Sequence, residues 1–164
     1  ANMAWTQLRI DGEKRWQPGS RAEHVGSDII ASRRYFSKAL AYVSIGSPSA
    51  TTTAATGDPL EIVFDVHPNR LRAQDAFSVT IRSYGRALSD QPVQLYPERG
   101  SAHDEATAEC RTDSKGRCTL KVQQPGRVLL TTQAKGELDN DPTVDGYIHH
   151  VSVMLELGAP DVSG

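Results

Sequence analysis

The chain has 164 residues, of which 38% are apolar and 23% are charged, a balance that is ordinary for a globular protein of one domain. Its formal net charge of −2 argues against a general nucleic-acid binder, because phosphate neutralisation requires a surplus of Lys and Arg. No apolar run approaches the roughly 20 residues of a membrane-spanning helix, so we expect no membrane span.

Residues 1–32 predict two strands joined by a polar turn. Residues 5–10 alternate between apolar and polar side chains, and this pattern breaks at residues 11–12 and again at residues 17–20. The second strand is short and is expected to end near residues 29–30.

Residues 32–45 predict the one substantial helix of the chain, either a single amphipathic helix or a helix that continues into a short strand. Apolar side chains recur there at spacings of one, three and four, at Tyr35, Phe36, Ala39, Leu40 and Val43. Ser32 is suited to cap the start of this helix, and Gly46 is suited to end it. The small polar residues 47–58 that follow predict a mobile loop.

Beyond residue 59 the sequence predicts short strands separated by Gly, Pro and Asp turns. Three of them are expected at residues 60–66, 76–84 and 91–96, and the last is expected at residues 147–157. This spacing predicts a single-domain, all-β protein over residues 1–164, built as an antiparallel β-sandwich with at most one short helix.

Residues 109–132 carry the clearest turn chemistry. Asp113 can bond its own backbone ahead, and Gly116 accepts a positive φ. A second turn at residues 124–126 starts another apolar run, so the stretch predicts an antiparallel meander of three strands.

Cys110 and Cys118 flank the first of these turns. Facing each other across a hairpin, their Cα atoms would fall within disulfide reach, so a disulfide is predicted. A disulfide indicates the periplasm or another oxidising compartment. The alternative is a metal-binding pair, although structural zinc usually requires four ligands.

Five residues are candidate ligands for a divalent transition metal, because imidazole and carboxylate groups bind such ions. His67 closes a predicted strand, whereas His149 and His150 are adjacent on the last strand and would point to opposite faces. One of that pair could join His67 if the two strands are neighbours. His103 and Asp104, in a polar loop, could then complete the site. The alternative is that these are ordinary surface or half-buried residues.

The sequence is poor in catalytic signatures: it contains no Gly-x-Ser-x-Gly elbow, no His-Glu-x-x-His and no Gly-rich phosphate loop. The acidic residues 139–145 lack the spacing of a calcium loop and predict a solvated turn. Residues 33–34 and 70–72 are small basic spots that we expect to be solvated. Four aromatic residues could line a carbohydrate platform but are mostly expected in or near the core: Trp5, Trp16, Tyr35 and Tyr147.

Several motifs of turn and strand residues follow one another in a characteristic order, at residues 34–40, 57–63, 67–71, 77–79, 85–88, 112–117, 124–130 and 152–155. In this order they resemble the bacterial exported family catalogued as domain of unknown function 4198. The resemblance covers roughly residues 29–157.

This resemblance implies an immunoglobulin-like or transthyretin-like sandwich in the periplasm, without known catalysis. Some members are described as periplasmic components of nickel or cobalt uptake. Many members open with a His-containing segment, whereas the first histidine of this chain is His24. A metal role that depends on that segment is therefore not carried over.

We therefore expect a non-enzymatic, exported β-sandwich that binds a ligand or a partner protein in the cell envelope. The alternative, on the resemblance alone, is a periplasmic metal-handling component for nickel or cobalt uptake, with a transporter as partner and a divalent metal as its cofactor. A hydrolase of the transthyretin-like type would need His and Arg clustered around a groove, and the sequence shows no such cluster. Residues 1–4 are neither basic nor followed by an apolar core and so do not resemble a signal peptide. If the protein is exported, we expect this sequence to be its mature or trimmed form.

Overall fold

The computed structural model describes residues 2–43, 47, 53–98 and 106–160, and this part of the chain is almost entirely β-structure. It contains no α-helix, and short 3-10 turns occur at Arg21–His24 and Pro68–Arg70. The strands are β1 Asn2–Ile10, β2 Glu13–Pro18, β3 Ile29–Ala41, β4 Glu61–Phe64, β5 Ala76–Ser83, β6 Arg86–Ala87, β7 Pro92–Pro97, β8 Ala108–Arg111, β9 Arg117–Lys121, β10 Gly126–Glu137 and β11 Gly146–Leu157.

The chain divides into two compact units, whose bounds fall within β3, β10 and β11. Unit 1 comprises Ala1–Lys38 and Gln133–His150, and unit 2 comprises Ala39–Thr132 and Val151–Gly164. The expectation of a single domain over residues 1–164 stays a prediction.

Unit 1 is built on the β1–β2 hairpin, and β1 also pairs antiparallel with β3. Thr6 and Ser32 are fully buried, and their hydroxyls share a hydrogen bond of 2.8 Å, which satisfies two polar groups inside the unit. Asp145 accepts the backbone N–H of Ser32 at 2.7 Å and forms an ion pair with Arg21. The acidic stretch 139–145 is therefore a hydrogen-bonded turn tied to β3.

Unit 2 is a sandwich of two sheets, which confirms the predicted fold class. In one sheet β5 pairs with β4, β6 and β9; in the other the strand order is β11, β10, β7, β8. Alternate residues of facing strands are buried, and their side chains form the core between the sheets. This set includes Phe77, Val79 and Ile81 on β5 and Val151, Val153 and Leu155 on β11.

A disulfide joins Cys110 on β8 to Cys118 on β9, with a Cα–Cα distance of 6.0 Å, which confirms the predicted pairing. Because β8 and β9 belong to different sheets of unit 2, the disulfide links the two layers of the sandwich at their edge.

The predicted meander over residues 109–132 is wrong. β8 pairs with β7, β9 pairs with β5, and β10 returns to β7. The cause lies at Thr112, whose hydroxyl donates to the carbonyl of Leu88 at 2.6 Å and accepts the N–H of Gln91 at 2.9 Å. These bonds hold the start of the turn against the loop between β6 and β7. The strands before and after the turn, β8 and β9, therefore enter different sheets.

The predicted helix at residues 32–45 is also wrong over the residues described, because β3 extends from Ile29 to Ala41. Residues Ile29 to Phe36 of β3 pair antiparallel with residues Leu8 to Asn2 of β1. A helix would have used Ala39 and Val43 on its apolar face, yet both are exposed. Strand pairing therefore prevails over the helical spacing.

The second short strand does not reach residues 29–30, since β2 ends at Pro18 and a 3-10 turn follows. Of the predicted loop 47–58, residues 48–52 lie outside the described residues. Within the described part of the chain, no helix has the length and apolar character needed to cross a membrane.

Replacing both Cys110 and Cys118 by Ala should lower the free energy of unfolding by about 2–3 kcal/mol. The reason is that the disulfide reduces the conformational entropy of the unfolded chain, and for a loop this short the effect is of that size. Urea denaturation measures this loss, and the reduced wild-type protein should match the double variant. Equal stability of the oxidised and the double-variant protein would contradict this role.

Gly116→Ala should destabilise the protein more than Gly85→Ala, although φ is alike at the two positions, +75° and +76°. A Cβ at residue 116 would lie 2.7 Å from the carbonyl oxygen of Ile81, whereas a Cβ at residue 85 meets nothing within 4 Å. We expect a loss of about 1–2 kcal/mol for Gly85→Ala from backbone strain and about 1–3 kcal/mol more for Gly116→Ala. Thermal denaturation of both variants tests this, and equal losses would contradict the close approach.

Candidate functional site

A pocket of about 450 Å³ lies in unit 2, where the segment after β3, the loop between β4 and β5, and the strands β10 and β11 meet. Pockets for small organic ligands have volumes of about 300–1,000 Å³. Its apolar wall includes Tyr42, Pro68 and Met154, and its polar groups are Asn69, Arg72, Arg127 and Glu156.

The backbone around Arg72 is held by the residue that follows β11. The N–H of Ala73 donates to the carbonyl of Gly158 at 2.9 Å, and the N–H of Gly158 donates to the carbonyl of Leu71 at 3.2 Å. Leu71 and Ala73, on either side of Arg72, are buried in the core. Arg72 is therefore fixed between two anchored neighbours at the edge of the sandwich.

The side chain of Arg72 lies directly against Gly158. A Cβ at residue 158 would be 2.8 Å from Cδ of Arg72 and 3.1 Å from its Nε and Nη1. The absence of a side chain at Gly158 therefore leaves the space in which the Arg72 guanidinium lies in this structure.

The Arg72 guanidinium keeps unused hydrogen-bonding capacity. Arginine has five N–H donors, and within the described residues its guanidinium makes one hydrogen bond, from Nη1 to the carbonyl of Leu71 at 3.2 Å. Among those same residues no carboxylate pairs with it. The pocket thus contains a half-buried cation with free donors.

Arg127, the second cation of the pocket, is already engaged. Its Nη1 donates to Glu98 at 3.0 Å, and its Nε lies 3.9 Å from a carboxylate oxygen of Glu156. The hydrogen bond with Glu98, and then the charges of Glu98 and Glu156, raise the pKa of Arg127 above its ordinary value. The positive charge of Arg127 is largely balanced, so Arg72 carries the uncompensated charge of the site.

The apolar wall is anchored to the core of unit 2. The ring of Tyr42 meets Phe64 edge-on at 5.9 Å between centroids and meets His67 at 5.7 Å. Met154 is 37% exposed on the outer face of β11, between buried Val153 and Leu155. Such a pocket can hold an apolar body against Tyr42 and Met154 while a polar end reaches Arg72.

His67, a predicted metal ligand, has a structural role beside this pocket. Its Nδ1 accepts the N–H of Asn69 at 3.2 Å, which caps the 3-10 turn Pro68–Arg70. The ring of Tyr42 packs against the imidazole, and the residue is 9% exposed. His67 therefore helps to shape the loop that carries Arg72.

His149 and His150 lie on β11 in unit 1. The imidazole of His149 stacks on Phe36 at 4.7 Å between centroids and meets Tyr147 at 4.9 Å. Desolvation by burial lowers the pKa of His149, and the same cause lowers the pKa of His150. Both imidazoles are therefore favoured in the neutral form.

Residues 2–43, 53–98 and 106–160 contain no cluster of three His, Cys, Asp or Glu side chains suited to hold a metal ion. His103 and Asp104 lie outside the described residues. His67 belongs to unit 2, and His149 and His150 belong to unit 1. The predicted metal site therefore stays a prediction.

Asp113 acts as the turn former that its sequence context predicts. Its carboxylate accepts the backbone N–H of Arg117 at 2.9 Å and of Lys115 at 2.8 Å, and these hydrogen bonds lower its pKa. In the acidic loop, hydrogen bonds from the hydroxyl and N–H of Thr143 likewise lower the pKa of Asp141.

Two of the aromatic residues considered for a carbohydrate platform lie close to each other in unit 1. Trp16 is 41% exposed, contrary to the expectation of a core position, and its ring meets Tyr35 edge-on at 6.4 Å. Trp5 is half-buried, and its backbone is paired with Pro18 of β2 on one side and with Arg33 of β3 on the other. The perpendicular rings of Trp16 and Tyr35 do not form the flat platform on which a sugar ring stacks.

The sequence reasoning missed Arg72 and Arg127 as candidate site residues. Residues 70–72 were expected to be a solvated basic spot, but Arg72 is half-buried. Its partner Gly158 is distant in the sequence, and no local pattern links the two positions. The preceding Leu71, an apolar residue between two arginines, is the one local signal that the triplet is anchored.

Fold and pocket together define an all-β sandwich protein with a cationic pocket at the edge of one sandwich. The family model described as Domain of unknown function (DUF4198) matches residues 2–136, and the chain therefore belongs to that family. The match confirms the resemblance seen in the sequence, although it begins earlier than residue 29 and ends before β11.

Arg72 and Arg127 lie within the matched range, and Met154 and Glu156 lie beyond it. No curated protein and no solved structure shows significant similarity to the chain.

The stability of the protein should fall as the pH decreases from about 6.5 toward 5. Because the folded state lowers the pKa of His149 and His150, the unfolded chain binds more protons in this range, and stability rises with pH. Urea denaturation at several pH values measures the slope. His149→Gln should reduce it, and a wild-type stability that is flat or rises on acidification would contradict the burial of neutral imidazoles.

Proposed function

We propose that the protein is a non-enzymatic binding module of the cell envelope, and that its ligand is a small organic molecule that binds in the pocket of unit 2. The observation that carries this proposal is the half-buried Arg72, held against Gly158 with unused donors in a pocket of about 450 Å³. A concavity that combines apolar side chains with a small number of positioned polar groups is the usual composition of a ligand site.

The groups that line the pocket favour binding over chemistry. Arg72 offers hydrogen bonds, Tyr42 and Met154 offer apolar surface, and the carboxylate of Glu156 faces the cation Arg127. A guanidinium remains protonated at physiological pH and serves to orient an anionic or polar group.

The disulfide supports a location in the cell envelope. Disulfides form and persist in oxidising compartments such as the periplasm and are rare in the cytosol. The bond between Cys110 and Cys118 links the two sheets of unit 2, so an oxidising compartment would stabilise the sandwich that carries the pocket.

A fragment screen by ligand-observed NMR, on the full chain with its disulfide intact, tests the proposal. We expect small molecules that bind with dissociation constants of about 10 µM to 1 mM. Met154→Trp places an indole on the exposed wall of the pocket and should weaken these ligands at least about tenfold. Met3→Trp is the matched control, because Met3 is also exposed but lies in unit 1.

Two results would contradict the proposal: a screen without any ligand, or ligands whose affinity is unchanged in Met154→Trp. In the second case the protein binds small molecules at another surface. Catalytic turnover of a bound fragment would contradict the non-enzymatic part alone.

A further inference from the structure

We infer that the ligand is a monocarboxylic acid with an apolar body, and that its carboxylate binds the guanidinium of Arg72. This inference rests on the proposed function and names the chemical class that the same pocket selects. It is drawn from the charges and the shape of the pocket.

The guanidinium of Arg72 is suited to a carboxylate. It is planar, and it can donate two parallel hydrogen bonds to the two oxygens of one carboxylate. Its Nη1 is partly engaged with the carbonyl of Leu71, and its Nε and Nη1 lie against Gly158, while its Nη2 makes no hydrogen bond within the described residues. Because the backbone on both sides of Arg72 is anchored, a ligand has only this one side chain to order.

The charge balance of the pocket favours a monoanion. Arg127 is paired with Glu98 at 3.0 Å, so one positive charge, that of Arg72, is left to attract a ligand. Glu156, whose side chain is 78% exposed, adds a negative charge at the pocket wall. A phosphate monoester, with about −1.5 to −2 charges at pH 7, would be repelled there more than a carboxylate.

The remaining wall is suited to an aliphatic or aromatic body. Tyr42 and Pro68 are held by the core and by the 3-10 turn, whereas Met154 is unbranched and can adjust to ligands of different shape. Each methylene that becomes buried should raise the affinity about three- to fourfold, until the available volume is filled.

Isothermal titration of the full, oxidised chain with hexanoate, hexan-1-ol and hexyl phosphate tests the inference. We expect hexanoate to bind at least about tenfold more tightly than hexan-1-ol, as is typical of a hydrogen bond to a charged group. Hexyl phosphate should bind more weakly than hexanoate. Butanoate should bind more weakly by roughly tenfold, because two methylenes are lost.

Arg72→Gln should abolish the preference for the acid over the alcohol and leave the weak affinity for hexan-1-ol. Arg86→Gln is the matched control: it removes the same charge from an exposed position on β6, outside the pocket lining, and should change nothing. Glu156→Gln should raise the affinity for hexanoate about two- to fivefold, because an exposed charge beside the site is removed.

The outcomes separate the two claims. Equal affinity for hexanoate and hexan-1-ol in the wild-type protein, or tighter binding of hexyl phosphate, overturns the carboxylate inference while the pocket stands as a ligand site. No binding of hexanoate at millimolar concentration also overturns it, and fragments of another chemistry that are sensitive to Met154→Trp would then uphold the proposed function. These comparisons use the wild-type protein, so they hold even if Arg72→Gln fails to fold.

Discussion

The rest of unit 2 depends on one constraint: between Thr112 and Gly116 the chain crosses from one sheet of the sandwich to the other. The hydroxyl of Thr112 is bonded to Leu88 and Gln91, and the carbonyl of Gly116 accepts the N–H of Ile81 at 2.8 Å. The disulfide joins the strands on either side of this passage. With β8 and β9 thus assigned to opposite layers, the apolar faces of both sheets have each other to pack against, and the core of the sandwich can form.

The pocket is a consequence of how this sandwich closes at its edge. β11 ends at Leu157, and Gly158 immediately bonds to the backbone on both sides of Arg72. A glycine at this point lets the arginine side chain lie on the main chain, where it is shielded from solvent on one side and open to the pocket on the other. Arg127, by contrast, has its charge balanced by its hydrogen-bonded partner Glu98. The difference between the two arginines is what turns an edge of the sandwich into a site with one free positive charge.

Features decided by neighbouring residues could be predicted from the sequence. The turn at Asp113 to Gly116, the disulfide and most strands after residue 59 follow from local chemistry and alternation. Features decided by contacts between residues far apart in the sequence could not be predicted from it. The helical spacing of Tyr35 and Phe36 is overridden because β3 pairs with β1 from Ile29 to Phe36. The assignment of β8 and β9 depends on contacts of Thr112 that no local pattern shows. The role of Arg72 was missed for the same reason, since it needs the absence of a side chain at Gly158.

The central claim, that Arg72 is the anchor of a ligand in the pocket of unit 2, is tested most directly by an NMR titration of the isotope-labelled full chain with hexanoate. The account predicts that the Nε–Hε resonance of Arg72 and the amide resonance of Gly158 shift together and saturate at one ligand concentration, while resonances of Met3 and Trp16 in unit 1 remain unchanged. Shifts confined to unit 1, or binding that leaves the Arg72 resonance unmoved, would contradict it.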